Sequence, residues 1–166
     1  KTMAGQEIET LSPFCEATKI ADAKAFAALM KHIKEYDNDQ TVILMQPQNE
    51  VGMFQDIDYN PISLELYEKT VPNQLLTYLK KNKSYLKPYL RDAWAASNFK
   101  TKGTWKEVFG ETPESKAFFT VWQYATYINF VAKSGREKYN LPMMVNAWIV
   151  QKPEDLLGVY PNGGPV

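Results

Sequence analysis

The run Thr41-Val42-Ile43-Leu44-Met45-Gln46-Pro47 decides how the chain is read. Its apolar residues are consecutive. A strand with one wetted face alternates polar and apolar residues, whereas a parallel strand covered on both faces is apolar without a break. Pro47 has no N–H to give a ladder, so the strand is expected to end there. Upstream, Ser12-Pro13 offers a capping hydroxyl followed by proline at the first helical position. Ala21, Ala25, Phe26, Leu29, Met30 and Ile33 then recur at spacings of three and four. That pattern predicts a helix ending before Asp37-Asn38-Asp39, which is turn chemistry. Helix, tight turn and doubly buried strand make an α/β unit.

The same pair recurs later. Residues 115–132 carry Phe118, Val121, Trp122, Ala125, Ile128 and Val131 along one broad face, with Gly135 expected in the left-handed position past the helix end. Leu141-Pro142-Met143-Met144-Val145-Asn146-Ala147-Trp148-Ile149 follows as a second strand-like run. A repeated helix–strand pair predicts an α/β fold. Residues 52–114 lie between the units and are polar and aromatic. Helices are expected over 74–81, with Leu75, Leu76 and Leu79 on one face, and around 86–96. A connection of that length far exceeds the usual few residues, and such connections generally serve function.

Composition narrows the function classes. Among 166 residues, 19 basic side chains balance 19 acidic ones. A nucleic-acid binder needs a concentrated basic surface, so that class is disfavoured. With 45% of residues apolar and 13% aromatic, an acidic disordered tail is excluded. No apolar run approaches the roughly 20 residues of a membrane-spanning helix. Cys15 is the single cysteine and His32 the single histidine, which excludes an internal disulfide, a multi-cysteine zinc site and a His-rich metal centre. Chemistry therefore falls to carboxylates. Lys1-Thr2-Met3 at the start and Gly163-Gly164-Pro165-Val166 at the end read as a piece of a longer polypeptide.

Gln46-Pro47-Gln48-Asn49-Glu50-Val51-Gly52 is the most pointed segment. Past a buried strand end, Glu50 can be partly desolvated, which raises a carboxyl pKa and suits it to donate a proton near neutrality. Asn49 beside it can bond a substrate hydroxyl without adding charge, and Gly52 allows a sharp backbone turn. The blander alternative is a polar pair satisfied by loop amides. Elsewhere, the acids Asp56, Asp58, Glu65 and Glu68 are expected to be solvated, His32 exposed and Cys15 packed. Tyr78, Tyr85, Tyr89, Trp94, Phe99 and Trp105 are expected to close the core of residues 52–114, with a sugar-stacking platform as the alternative.

Gln-x-x-Asn-Glu-x-Gly after an apolar run resembles the acid/base strand of retaining β-galactosidases of glycoside hydrolase family 35, whose usual form is Gln-Val-Glu-Asn-Glu-Tyr-Gly. These belong with family 42 to an Asn-Glu clan of (β/α)8 glycosidases. The resemblance extends to Leu11-Ser12-Pro13-Phe14, Glu16-Ala17-Thr18, residues 22–33, Asn146-Ala147-Trp148-Ile149-Val150-Gln151 and Tyr160-Pro161-Asn162-Gly163-Gly164-Pro165. Gln48 and Val51 depart from it, standing where the family usually has glutamate and tyrosine.

The resemblance implies a partial TIM (β/α)8 barrel, from the helix before the fourth strand through the fifth strand. The whole of residues 1–166 would belong to one catalytic domain, with a mostly helical insertion over about 52–114 at the C-terminal face. It implies Glu50 as acid/base, Asn49 on the sugar 2-hydroxyl, and Asn146 and Trp148 lining the sugar pocket. The substrate would be a terminal β-galactoside cleaved by double displacement, with no metal or organic cofactor. A retaining enzyme needs a second carboxylate as nucleophile. In this clan that residue would lie beyond Val166, so the isolated chain is expected to be inactive. Open sheet edges would be covered by the remaining barrel segments or a second chain. A periplasmic or extracellular setting is likewise an implication of the resemblance. A non-catalytic carbohydrate-binding or interaction domain using the aromatic stretch is the alternative function.

Overall fold

The computed structural model describes residues 1–146 apart from Thr10 and Phe54. Among the described residues helices occupy 54% and strand only 3%, with no sheet. The expected α/β fold and partial TIM barrel are therefore corrected: the described residues are mostly helical. Among the described residues six α-helices follow one another: α1 (Glu16–Tyr36), α2 (Pro61–Tyr67), α3 (Asn73–Lys81), α4 (Pro88–Ala96), α5 (Trp105–Phe109) and α6 (Pro113–Arg136), with a 3-10 turn over Lys83–Tyr85. Contacts divide them into two compact units, one built from residues 1–8 and 53–120, the other from residues 9–52 and 121–146.

The first unit is held by aromatic packing. Trp105 opens α5 and is 2% exposed. Its ring lies 5.2 Å from Phe119 and 5.9 Å from Phe118, both edge-on, and 5.9 Å from Phe109. Edge-to-face contacts of this kind add to what burial alone contributes. Trp94 is also buried, donates from Nε1 to the Lys100 carbonyl at 2.7 Å, and meets Phe99 edge-on. Leu75, Leu76 and Leu79 bury the apolar side of α3, the face the spacing predicts. Local signals set the helix starts. Asn60 caps α2 ahead of Pro61, and Thr104 with Glu107 forms a capping box on α5.

The second unit pairs α1 with residues 121–136 of α6. Phe26 and Met30 meet Tyr127 and Val131, with Met45, Tyr139, Leu141 and Met143 packed around them. The Ser134 hydroxyl donates to the Ala23 carbonyl at 2.9 Å. Gly135 does not end the helix. It lies inside α6, where an added Cβ would come within 2.4 Å of the Phe26 ring. Its role is close helix approach, not the left-handed turn expected of it.

Over the described residues both strand expectations fall with the barrel; residues 147–149 of the second lie outside the described residues. Residues 41–46 touch residues 141–146 through one parallel bridge, Met45 with Met143. Met45 N–H donates to the Pro142 carbonyl at 3.0 Å, and Met144 N–H to the Met45 carbonyl at 2.9 Å. Ile43 is 77% exposed and Leu44 43% exposed, so the run is not covered on both faces. A lone pair of extended segments has too few neighbours to build a ladder. With no sheet among the described residues, the open sheet edges expected of it disappear too.

The beginning of α1 also differs. Ser12 and Pro13 lie in a turn before it, and Cys15 occupies the N-cap without a side-chain cap bond. Cys15 is exposed rather than packed. The helix buries Phe26 and Met30 of the expected stripe together with Ala23, whereas Ala21, Ala25 and Leu29 of that stripe are exposed. At its end Asp37 accepts from Thr41 N–H at 2.8 Å, Thr41 hydroxyl at 2.7 Å and Val42 N–H at 2.9 Å. The Thr41 hydroxyl, then the two backbone donors, hold its carboxyl below the usual range.

Candidate functional site

The parallel bridge lies just before both halves of the candidate site. Beyond Met45 the chain continues through Pro47 to Asn49 and Glu50, and beyond Met143 it continues to Asn146. Three polar side chains converge there. Asn146 Nδ2 donates to Asn49 Oδ1 at 3.0 Å, and Gln46 Nε2 donates to the same oxygen at 3.1 Å. Asn146 Oδ1 in turn accepts the Glu50 backbone N–H at 2.9 Å. One asparagine amide, 96 positions away in sequence, thus bonds both Asn49 and Glu50.

The turn is made at Glu50, not at Gly52. Glu50 has φ of +47°, in the left-handed region that a side chain with a Cβ rarely adopts, whereas Gly52 is outside that region. Such strain costs on the order of 1–3 kcal/mol and persists where surrounding bonds impose it. Here the Asn146 carbonyl oxygen fixes the Glu50 N–H. Tyr124 hydroxyl, donating to the Gly52 carbonyl at 3.1 Å, fixes the far side of the turn. Asn49 and Glu50 are both exposed, so the desolvation expected of Glu50 is not found. Trp148 lies outside the described residues.

Glu50 also lines a cavity of about 280 Å³ within the second unit. Its walls include Asp22 from α1, Gln48 and Val51 from the turn, and Tyr124 and Tyr127 from α6. Asp22 accepts from the Tyr127 hydroxyl and from Gln48 Nε2, the latter at 3.1 Å. Burial, then the Asp22 hydrogen bond and charge, push the Tyr127 phenol above its ordinary pKa. It therefore stays protonated as a donor. No protein-family model and no curated protein matches this chain.

Sequence reasoning missed Asp22 and Tyr127. A signal was present: Asp22, Phe26 and Met30 are four apart, so a lone carboxylate sits on the buried stripe of α1. The expected stripe holds Phe26 and Met30, but one turn earlier it takes the exposed Ala21, where Asp22 is the residue on the buried side. Elsewhere Asp58 is buried rather than solvated, accepting from the Asn60 backbone and side-chain amides. Asp56 is half-buried and accepts from the Tyr59 hydroxyl, whereas Glu65 and Glu68 are exposed. His32 is exposed and stacks on Tyr36 at 4.3 Å. Among the described residues no group of three or more His, Cys, Asp or Glu side chains could hold a metal ion, and no helix is long and apolar enough to cross a membrane.

Proposed function

We propose that the chain is part of a retaining glycoside hydrolase acting on terminal β-galactosides, with Glu50 as acid/base and the nucleophile outside this chain. The observation that carries it is the bonded cluster of Asn49, Glu50 and Asn146. Asn146 lies 96 positions beyond the adjacent pair Asn49-Glu50, and the resemblance assigns all three to one sugar pocket. The strained backbone at Glu50 supports the same assignment, because strain of this kind collects at functional sites.

Glu50 protonates the departing glycosidic oxygen, then takes a proton from the water that hydrolyses the glycosyl-enzyme. Asn49 has its carbonyl oxygen occupied by Gln46 and Asn146, which fixes the plane of the amide. Its Nδ2 is then the donor for the sugar 2-hydroxyl, a hydrogen bond that strengthens as the oxocarbenium-like transition state forms. Of the six aromatics in the alternative stacking platform, Trp94 and Trp105 are core residues, whereas Tyr78 and Tyr85 are exposed and do not close the core as expected.

Asn49→Ala is the test of this arrangement, made in the polypeptide that carries both carboxylates. On a β-galactoside kcat/KM is expected to fall roughly 10- to 100-fold, about 1.4–2.7 kcal/mol. On the 2-deoxy analogue the substitution is expected to change nothing, because the bonded hydroxyl is already gone. Equal losses on both substrates would refute the 2-hydroxyl contact.

A further inference from the structure

Asp22, Tyr127 and Gln48 take no part in the chemistry assigned above, yet they share the Glu50 cavity. We propose that this cavity is a single-sugar subsite in which the Asp22 carboxylate accepts a hydroxyl of the bound pyranose, with Tyr127 and Gln48 as positioning residues. The sugar class rests on the glycosidase reading; the site itself rests on the cavity and its hydrogen bonds.

The volume, about 280 Å³, is near the low end of ligand pockets, roughly 300–1,000 Å³. At ~30 Å³ per water it equals about nine waters, room for one sugar ring and not for a chain of them. Two carboxylates, Asp22 and Glu50, line it, and no described lining residue is basic. An anionic ligand is therefore repelled, and a neutral polyol finds acceptors for its hydroxyls. Leu11, Pro13, Val51 and the two tyrosine rings supply apolar wall. Both phenols are committed to protein acceptors, Tyr127 to Asp22 and Tyr124 to Gly52, so the rings serve as surface.

Asp22 is held by the geometry that a specific acceptor needs. Tyr127 and Gln48 both donate to its Oδ2, one from α6 and one from the turn that carries Glu50. A carboxylate accepts about four hydrogen bonds in all, so two protein donors leave capacity for ligand hydroxyls. Because Gln48 belongs to the Asn49-Glu50 turn, the acceptor and the acid/base are tied to one segment. A sugar hydroxyl placed by Asp22 is placed relative to Glu50 as well.

The test is a deoxy-sugar scan by NMR titration of the full chain, using galactose and its 2-, 3-, 4- and 6-deoxy forms. Galactose is expected to shift resonances of Gln48, Tyr124 and Tyr127. Removing one particular hydroxyl is expected to weaken binding about tenfold. In Asp22→Asn, where one acceptor oxygen becomes a donor, that loss should vanish and galactose should bind no better than the deoxy sugar. Tyr127→Phe, which keeps the ring and frees the carboxylate, should show the same loss only in part. This second variant decides the matter if Asp22→Asn does not fold. An Asp22→Asn protein that weakens every sugar equally, or none, would overturn the subsite in favour of a purely structural carboxylate. Absence of sugar binding at millimolar concentrations, or shifts confined to other residues, would overturn it too. Failure of the glycosidase reading is separate, appearing as hydrolysis that does not depend on Glu50.

Discussion

Glu50→Gln, in the polypeptide that carries both carboxylates, is expected to lower hydrolysis of a β-galactoside with a poor leaving group by about 10²–10⁴-fold. The substitution keeps the size of the side chain and removes its proton. An alkoxide leaving group needs that proton in the transition state, so the whole contribution of the acid is lost. A nitrophenolate departs without help, so its first step is expected to lose far less. Glycosyl-enzyme then accumulates, because the water of the second step no longer has a base, and a burst of nitrophenol precedes slow turnover. The backbone is not the source of the effect. Asn146 bonds the Glu50 N–H rather than its side chain, so the turn at φ +47° survives the change. An equal loss on both substrates, or none, would remove Glu50 from the acid/base role.

The second large effect concerns stability. Trp105→Ala is expected to destabilise the first unit by about 3–5 kcal/mol, the usual range for truncating a fully buried large aromatic. Trp105 is 2% exposed and has three phenylalanine rings within 5.9 Å. Two of those rings come from the start of α6, which cannot collapse onto the gap without unwinding its own first turns. Natural domains are stable by only about 5–15 kcal/mol, so a substantial share of the reserve goes. Hydrogen exchange resolves the prediction by unit: amides of α3, α4 and α5 should exchange faster by 10²-fold or more, on the order of 3 kcal/mol of opening energy. A loss below 1 kcal/mol would mean that Trp105 is a surface platform after all, and would restore the aromatic binding domain.

Helices were legible where one face is buried and local signals agree. For α3 the apolar spacing of Leu75, Leu76 and Leu79 predicts residues 74–81, and the helix is Asn73–Lys81. The end of α1 was legible for the same reason, since Asp37 provides acceptors that close the turn. Strands were not legible. An unbroken apolar run reports only that a segment avoids water on average. It does not say what covers the segment, and Ile43 and Leu44 are in fact exposed. Glycine was ambiguous in a similar way. Gly135 fits a helix end on conformational grounds, but the Phe26 ring needs its missing Cβ.

The candidate site was half legible. Asn49 and Glu50 are adjacent, and their side chains carry an obvious chemistry. Asn146 entered only through the resemblance, and its amide proves to bond both. What sequence could not supply was the left-handed backbone at Glu50, since Gly52 is the residue that favours such a turn. Nor could it bring Asp22 of α1 to Tyr127 of α6, because their pairing depends on how two helices pack.

The most direct measurement is to trap the galactosyl group in the Glu50→Ala protein. With a nitrophenyl β-galactoside and azide present, the acid/base account predicts rescue of turnover and a β-galactosyl azide product. The small anion occupies the space of the missing carboxylate, needs no base, and attacks the glycosyl-enzyme from the face that water normally uses. Turnover equal to that of the unaltered protein, or turnover lost and left unrescued with no azide adduct, would contradict it.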